Sequence, residues 1–310
     1  MTQQSRLNFV TLDVFTEEPF TGNPLAIVEV PRSADLSQDQ KQKIAREFNY
    51  SETVFLHERE DSSKNSWVID IFTLDRELPF AGHPVIGTAC HVLSSVAHES
   101  DEKAIRGTFI TKAGHVELEY NVTEKTARVA IPHNVHIHQE EVSHDQVRKS
   151  QPGLRESPSS PQPYPVVSIV KGMTFIMVEL YSLEDLTAVA TTANRLVPQL
   201  DEGWQDSFVG GYFFVRLGEN NDGTLHLQSR MIEGTLEDPA TGSATSGCCA
   251  YLAMQSRKPG HTLKFAVNQG VEMGRSSEIG VEVTLADDGA VDRIVLIGSA
   301  VRVMEGRLTV

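Results

Sequence analysis

The stretch ELPFAGHPVIGTACHVL, residues 77–93, passes from turn chemistry into a helix with small, apolar or hydroxyl residues on every side. A helix without a polar face is one that is surrounded. Glycine, alanine, serine, threonine and cysteine leave the room that the inside of a curled sheet requires. A second stretch, LEDPATGSATSGCCA (residues 236–250), repeats the plan: an extended lead, a tight turn, then small residues. Laid on the first, Gly242 meets Gly82, Ser243 meets His83 and Gly247 meets Gly87. Internal repetition of this kind implies two similar half-molecules.

Outward from these helices the chain reads as many short strands. LNFVTLDVF (7–15) alternates as a strand does and is followed by a turn at Glu18-Pro19. Residues 25–30 read as a second strand, and Ser37 as the N-cap of a helix to Phe48 that buries Ile44, Ala45 and Phe48. Further strands are expected at 53–56, 68–74, 107–111, 115–120 and 127–131, then at 166–170, 174–180, 208–216 and 225–230. Residues 183–193 fit a short helix, and residues 271–310 look β-rich. SQPGLRESPSSPQPYP (150–165) is rich in Pro and Ser and reads as a surface loop. Few helices among many strands argue against a doubly wound parallel sheet. The expected class is α+β, with two pseudo-symmetric halves, each a curled, largely antiparallel sheet around a central helix.

Composition narrows the function classes. The 310 residues are 40% hydrophobic and 22% charged, enough apolar content for one or two cores. Net charge is −15, which repels phosphate backbones and disfavours nucleic acid as a partner. No run approaches eighteen apolar residues, so no membrane span is expected, and MTQQSRLNFVTLDVF lacks the plan of a signal peptide. Three cysteines, two of them the adjacent Cys248 and Cys249, make no disulfide framework and fit a cytoplasmic location.

The chemistry gathers at the two helix entrances. Helix N-termini expose unpaired N–H groups and a partial positive charge. Gly82 and Gly242 would let an anion or enolate oxygen approach them closely, or else serve only the turns. His83, before Pro84, either exchanges a proton with a bound group or acts as a capping, structural histidine. Ser243 holds the matching place; without a G-x-S-x-G elbow it reads as a hydrogen-bonding hydroxyl. Glu52, in NYSETVFL, is a proton shuttle if apolar neighbours raise its pKa, and otherwise a solvated strand-end carboxylate. Asp238 is a similar case, or plain Asp-Pro turn chemistry. His136 and His138 would share a strand face, but no Cys or carboxylate set completes a zinc pattern, so no metal is expected. Neither GxGxxG nor GxxxxGK[ST] opens a helix, so no nucleotide cofactor is indicated.

TGNPLAIV, NYSETVFL, ELPFAGHPVIGTA and EDPATGSA, in this order and spacing, resemble the phenazine biosynthesis PhzF-like isomerases over nearly the whole chain. The resemblance implies a diaminopimelate epimerase-like fold. Residues 1–130 would form one half, closed by a returning strand at about 295–310, and residues 131–294 the other, with the active cleft between them. It implies a cofactor-independent isomerase of a small carboxylate metabolite, with a homodimer as an allowed assembly. Glu52 would move the proton; His83, Asp238 and Ser243 would line the same cleft, with Gly82, Thr241 and Gly242 at the substrate. The alternative is a catalytically silent member that serves as a binding or interaction protein. In thiol-dependent epimerases of this fold, cysteines sit at both helix entrances. Here those places hold Ala81 and Asp238-Pro239, while Cys90, Cys248 and Cys249 fall inside the helices, which disfavours a two-cysteine racemase. Two departures bear on substrate identity. Asp70 and Leu74 stand where such proteins carry a basic residue and a proline, and SRMIEGTLEDP replaces an Arg-x-Phe-Ala-Pro run.

Overall fold

The computed structural model describes residues 6–98, 101–154, 163–256 and 258–310. Half of the Pro/Ser-rich stretch expected to be a surface loop, residues 155–162, lies outside them. Chain contacts divide the protein into two units, residues 1–131 with 296–310, and residues 132–295.

The first unit begins with β1 (Arg6–Val14), β2 (Asn23–Val30), α1 (Gln38–Phe48), β3 (Thr53–His57), β4 (Ser66–Phe72) and β5 (Glu77–Leu78). Then follow α2 (Gly82–Ala97), β6 (Ala104–Thr111), β7 (Gly114–Asn121) and β8 (Thr126–Ala130). The second unit holds β9 (His136–Ile137), α3 (His144–Ser150), β10 (Val166–Val170), β11 (Met173–Glu179), α4 (Leu183–Ala188), β12 (Phe208–Glu219) and β13 (Thr224–Glu233). It continues with β14 (Leu236–Asp238), α5 (Gly242–Ser256), β15 (Thr262–Gln269), β16 (Ser277–Leu285) and the start of β17 (Val291–Gly298); the end of β17 and β18 (Ala300–Thr309) belong to the first unit, where β18 pairs antiparallel with β1.

The fold is α+β with two pseudo-symmetric halves, and the symmetry is visible in the pairing. In the first unit β1–β2 is antiparallel, β2–β3 parallel, β3–β4 antiparallel, β4–β6 parallel and β6–β7 antiparallel. In the second, β10–β11, β11–β12, β12–β13, β13–β15 and β15–β16 follow the same succession. Parallel neighbours need a crossover, and each of these holds a helix: α1 and α2 in one unit, α4 and α5 in the other. The sheets curl around the second helix of each pair. α2 touches β1, β2, β3, β6, β7, β8 and β18, and α5 touches β10, β11, β15 and β16. That enclosure explains the sequence: residues 83–90 of α2 and 244–250 of α5 are buried without exception. Among the described residues, no helix is long and apolar enough to cross a membrane.

Ser37 caps α1 as expected, accepting from the Gln40 amide in a capping box. The helix also buries Lys41, which its polar sequence did not suggest. The reason lies on β4. Asp70 shares a sheet face with Phe55 and Phe72, which pack under α1, and the Lys41 ammonium and His57 Nε2 both bond its carboxylate. The departure at Asp70 is thus answered by a lysine and a histidine on the α1 face. Burial acts to raise the Asp70 carboxyl, but its bonds to His57 and Lys41 prevail and hold it below the usual range. A depressed carboxyl contributes stability above its unfolded pKa and loses it as pH falls through the folded one. Asp70→Asn is therefore expected to cost about 2 kcal/mol at pH 7, because Lys41 stays buried without a counter-charge. The difference should shrink on acidification; chemical denaturation at pH 7 and below pH 4 measures both.

Three local expectations are corrected. β4 ends at Phe72, not at residue 74, because the Thr73 hydroxyl accepts from the Asp75 and Arg76 amides and closes a turn. α4 stops at Ala188, not at residue 193, since the Arg230 guanidinium takes the Leu186 and Val189 carbonyls at the helix end. α3 was not expected at all; Ser143 and Gln146 form a capping box at its start.

Candidate active site

At the first entrance, Ala81 is the extended N-cap of α2 (φ −150°, ψ 136°) and supplies no side-chain cap. Gly82 and His83 open the helix, and Pro84, which lacks an N–H, takes the turn where none is needed. The preceding crossover delivers Glu52 to the same place. Asn49 ends α1 in the left-handed region (φ 55°), and Ser51 and Glu52 lead into β3. Glu52 Oε2 lies 3.2 Å from His83 Nδ1, with the two side chains 18% and 5% exposed. Burial raises the Glu52 carboxyl above its ordinary value, against an opposing hydrogen bond from Ser51. A carboxyl so placed is a proton carrier nearer neutrality than a glutamate in water.

At the second entrance, β14 ends at Asp238 and α5 begins at Gly242. The Thr241 hydroxyl donates to Asp238 Oδ2 at 2.6 Å, and the Thr241 carbonyl accepts from the Thr245 amide at 3.0 Å. Ser243 is half-buried in the first turn of α5, while Gly242 is buried. The two entrances match in backbone and differ in chemistry. β4–β5 pairs Ile71 with Leu78 where β13–β14 pairs Met231 with Asp238. The first unit therefore offers a glutamate and a histidine, the second an aspartate, a threonine and a serine.

Gln269, at the end of β15, is the residue sequence reasoning missed. It is fully buried, and both ends of its amide are bonded to the Asp238–Thr241 turn. Gly270 follows in the left-handed region (φ 76°), and a Cβ there would stand 2.6 Å from the carbonyl oxygens of Pro239 and Arg275. Only glycine lets the two backbones approach so closely. NQG carries no spacing signature, and the turn it serves is some thirty residues earlier. Arg230 was missed too: it is buried, pairs with Glu237 through two N–H···O bonds of 2.7 and 2.8 Å, and so braces β14 beside Asp238.

His136 lies in β9 and His138 just beyond its end, and Asp201 joins them with donor atoms within 4.8 Å. The sequence offered no such carboxylate because Asp201 is 63 residues beyond His138. Hydrogen bonds tie these residues to one another and to their neighbours. His138 Nδ1 accepts from the Asp201 amide at 3.1 Å and its Nε2 meets the Ser168 hydroxyl at 2.8 Å; His136 Nε2 meets Asp201 Oδ2 at 2.8 Å and stacks on Trp204. The three thiols are buried, and burial pushes Cys90 up to about 12 and Cys248 and Cys249 upward as well. A thiol held protonated is a poor nucleophile.

A family model described as phenazine biosynthesis-like protein matches residues 12–306. The chain is 30% identical over 320 residues to an uncharacterised isomerase of Mesorhizobium japonicum, covering 97% of this chain and 98% of that one. It is 29% identical to the trans-2,3-dihydro-3-hydroxyanthranilate isomerase of Pseudomonas aeruginosa, over 96% and 98% of the two chains. Among solved structures, the Bacillus anthracis PhzF-family phenazine biosynthesis protein superimposes with a TM-score of 0.77 at 22% identity, over 99% and 100% of the chains. A hydroxyproline epimerase from Agrobacterium vitis shares the fold, with a TM-score of 0.60 at 13% identity over 98% and 93%.

Proposed function

Because the chain belongs to the phenazine biosynthesis-like protein family, whose matched relatives include isomerases, we propose that it moves a proton between carbons of a small carboxylate metabolite without a metal or organic cofactor. The observation that carries the reading is Glu52: a carboxyl raised by burial, 3.2 Å from His83 Nδ1 at a helix entrance. In water a glutamate, with pKa about 4.3, is too weak a base and too poor an acid to take and return a proton near pH 7. Raised, it serves both steps.

Glu52 removes a carbon-bound proton, and the electron pair left behind spreads onto the substrate's unsaturated oxygen or ring system. Negative charge developing there is met by amides of a helix first turn, which need no reorganisation to receive it. Gly82 and Gly242 permit close approach, and Ser243 offers a hydroxyl. His83 and Asp238 orient the substrate or pass a second proton, and the same Glu52 carboxyl returns the first at the new carbon. In this reading Thr241 acts by holding Asp238. A reducing cytoplasm suits three free thiols.

The test is solvent-deuterium incorporation across a panel of small carboxylates that includes trans-2,3-dihydro-3-hydroxyanthranilate, the compound named for the Pseudomonas aeruginosa relative. An isomerase exchanges a carbon-bound proton of at least one member. Binding without exchange across the panel would favour a catalytically silent protein instead.

A further inference from the structure

We propose that Gln269 is a positioning residue that aims the Thr241 hydroxyl proton at Asp238 and fixes the turn from which α5 starts. The inference rests on the isomerase reading for its kinetic consequence, but not for its geometry.

The orientation of the amide is settled by two main-chain groups. Thr241 N–H can only donate, so Gln269 Oε1 must face it, at 3.2 Å. The Asp238 carbonyl can only accept, so Gln269 Nε2 must face that, at 2.8 Å. Nε2 thereby also donates to Thr241 Oγ1 at 3.0 Å. An amide N–H₂ cannot accept a proton. The Thr241 hydroxyl, receiving one hydrogen from Gln269, is left to send its own to Asp238 Oδ2 at 2.6 Å. One side chain thus sets the direction of the bond that orients Asp238.

The device is built into the core. Gln269, Thr245, Tyr212 and Ser229 are all fully buried. The Tyr212 hydroxyl lies 2.9 Å from Thr245 Oγ1 and donates to Ser229 at 2.8 Å, while Thr245 Oγ1 stands 3.5 Å from Gln269 Oε1. Gln269 has little freedom to turn over, and Gly270 lets its strand end press against Pro239. A buried network with every member bonded specifies one arrangement.

The experiment uses full-length protein and four variants: Gln269→Met, Thr241→Val, the double variant, and Thr241→Ser. With whichever panel acid the wild type exchanges, trans-2,3-dihydro-3-hydroxyanthranilate being tried first, Gln269→Met and Thr241→Val are each expected to lower kcat for deuterium incorporation at least about tenfold. KM should stay within about twofold. The double variant should lose no more than either single one, because the two residues act as a unit. Thr241→Ser keeps the hydroxyl and should recover most of the loss seen in Thr241→Val. Unchanged kcat in either single variant, multiplied losses in the double, or a Thr241→Ser variant as impaired as Thr241→Val would overturn the proposal. Hydrogen exchange by mass spectrometry decides the geometry separately. Amides at residues 238–247 should exchange at least about tenfold faster in Gln269→Met, with residues 82–97 unchanged. If the wild type exchanges no panel acid, the isomerase reading fails and this measurement alone stands, with unaltered protection at 238–247 refuting the role of Gln269. Should Gln269→Met not fold, Thr241→Val carries the same comparison.

Discussion

Glu52→Gln is expected to fold, to bind the panel acid that the wild type exchanges, and to lose at least about a hundredfold in turnover, the lower end of general acid–base contributions. The substitution keeps size and hydrogen-bonding capacity 3.2 Å from His83 Nδ1 and removes only the titrating proton. The stability of the same variant tests the cause of the raised carboxyl. Burial raises Glu52 over an opposing hydrogen bond from Ser51, so ionisation is harder in the folded chain than in the unfolded one. A raised carboxyl costs stability increasingly as pH climbs from the unfolded pKa through the folded one, and the cost stays in full above it. The glutamine variant is spared that cost. It should melt no lower than the wild type at pH 7, and the comparison should turn less favourable to it as pH falls towards 4. Near-wild-type turnover with a competent substrate would defeat the mechanism. A midpoint clearly below wild type at pH 7 would defeat the desolvation account while leaving the catalytic one to the kinetics.

The parts of this molecule legible in the sequence are those whose signal is local. α2 and α5 announce themselves because a helix touched by strands on all sides has room only for small residues, and both begin at the expected glycines. The cap at Ser37 and the strands β1 and β2 are local as well. What escaped is set by pairs distant in sequence. Lys41 is buried because Asp70, itself bonded to His57 on the neighbouring strand, reaches it from β4, and nothing within α1 records that. The end of α4 is dictated by Arg230, more than forty residues away. Asp201 completes a His136–His138 set from a loop the strand pattern does not include. Gln269 is the sharpest case. The motif residues Asp238 and Thr241 could be singled out, whereas the group that aligns them stands at a strand end, recognisable only once β13–β15 pairing sets it beside Ser229.

Gly87→Ala and Gly247→Ala test how far the repeat extends into packing. The sequence aligns these glycines, and both lie inside their helices, where alanine is intrinsically favoured by about 1 kcal/mol. Their surroundings differ. A Cβ at Gly87 would stand 2.6 Å from Val14 Cγ2 and 2.7 Å from Leu25 Cδ2, with Leu12 Cδ1 at 3.7 Å. Val14 and Leu25 are fully buried, and a β-branched valine has little rotamer freedom with which to yield. At Gly247 the near atom is Met177 Cε at 3.3 Å, the end of a flexible chain, with Ile169 Cβ next at 3.8 Å. Overpacking a rigid core costs about 1–3 kcal/mol, and two sub-van der Waals contacts put Gly87 at the upper end. Gly87→Ala should therefore destabilise the protein by about 2 kcal/mol after the helix gain. Gly247→Ala should be neutral or stabilising by up to about 1 kcal/mol, leaving the two variants about 2–3 kcal/mol apart. Equilibrium denaturation of both at one pH decides the matter. Equal effects would mean that the enclosure of α2 and α5 is the same in kind and tightness. The expected split would mean that the duplicated backbone has been packed twice, tightly around α2 against aliphatic strands and with tolerance around α5 against a methionine.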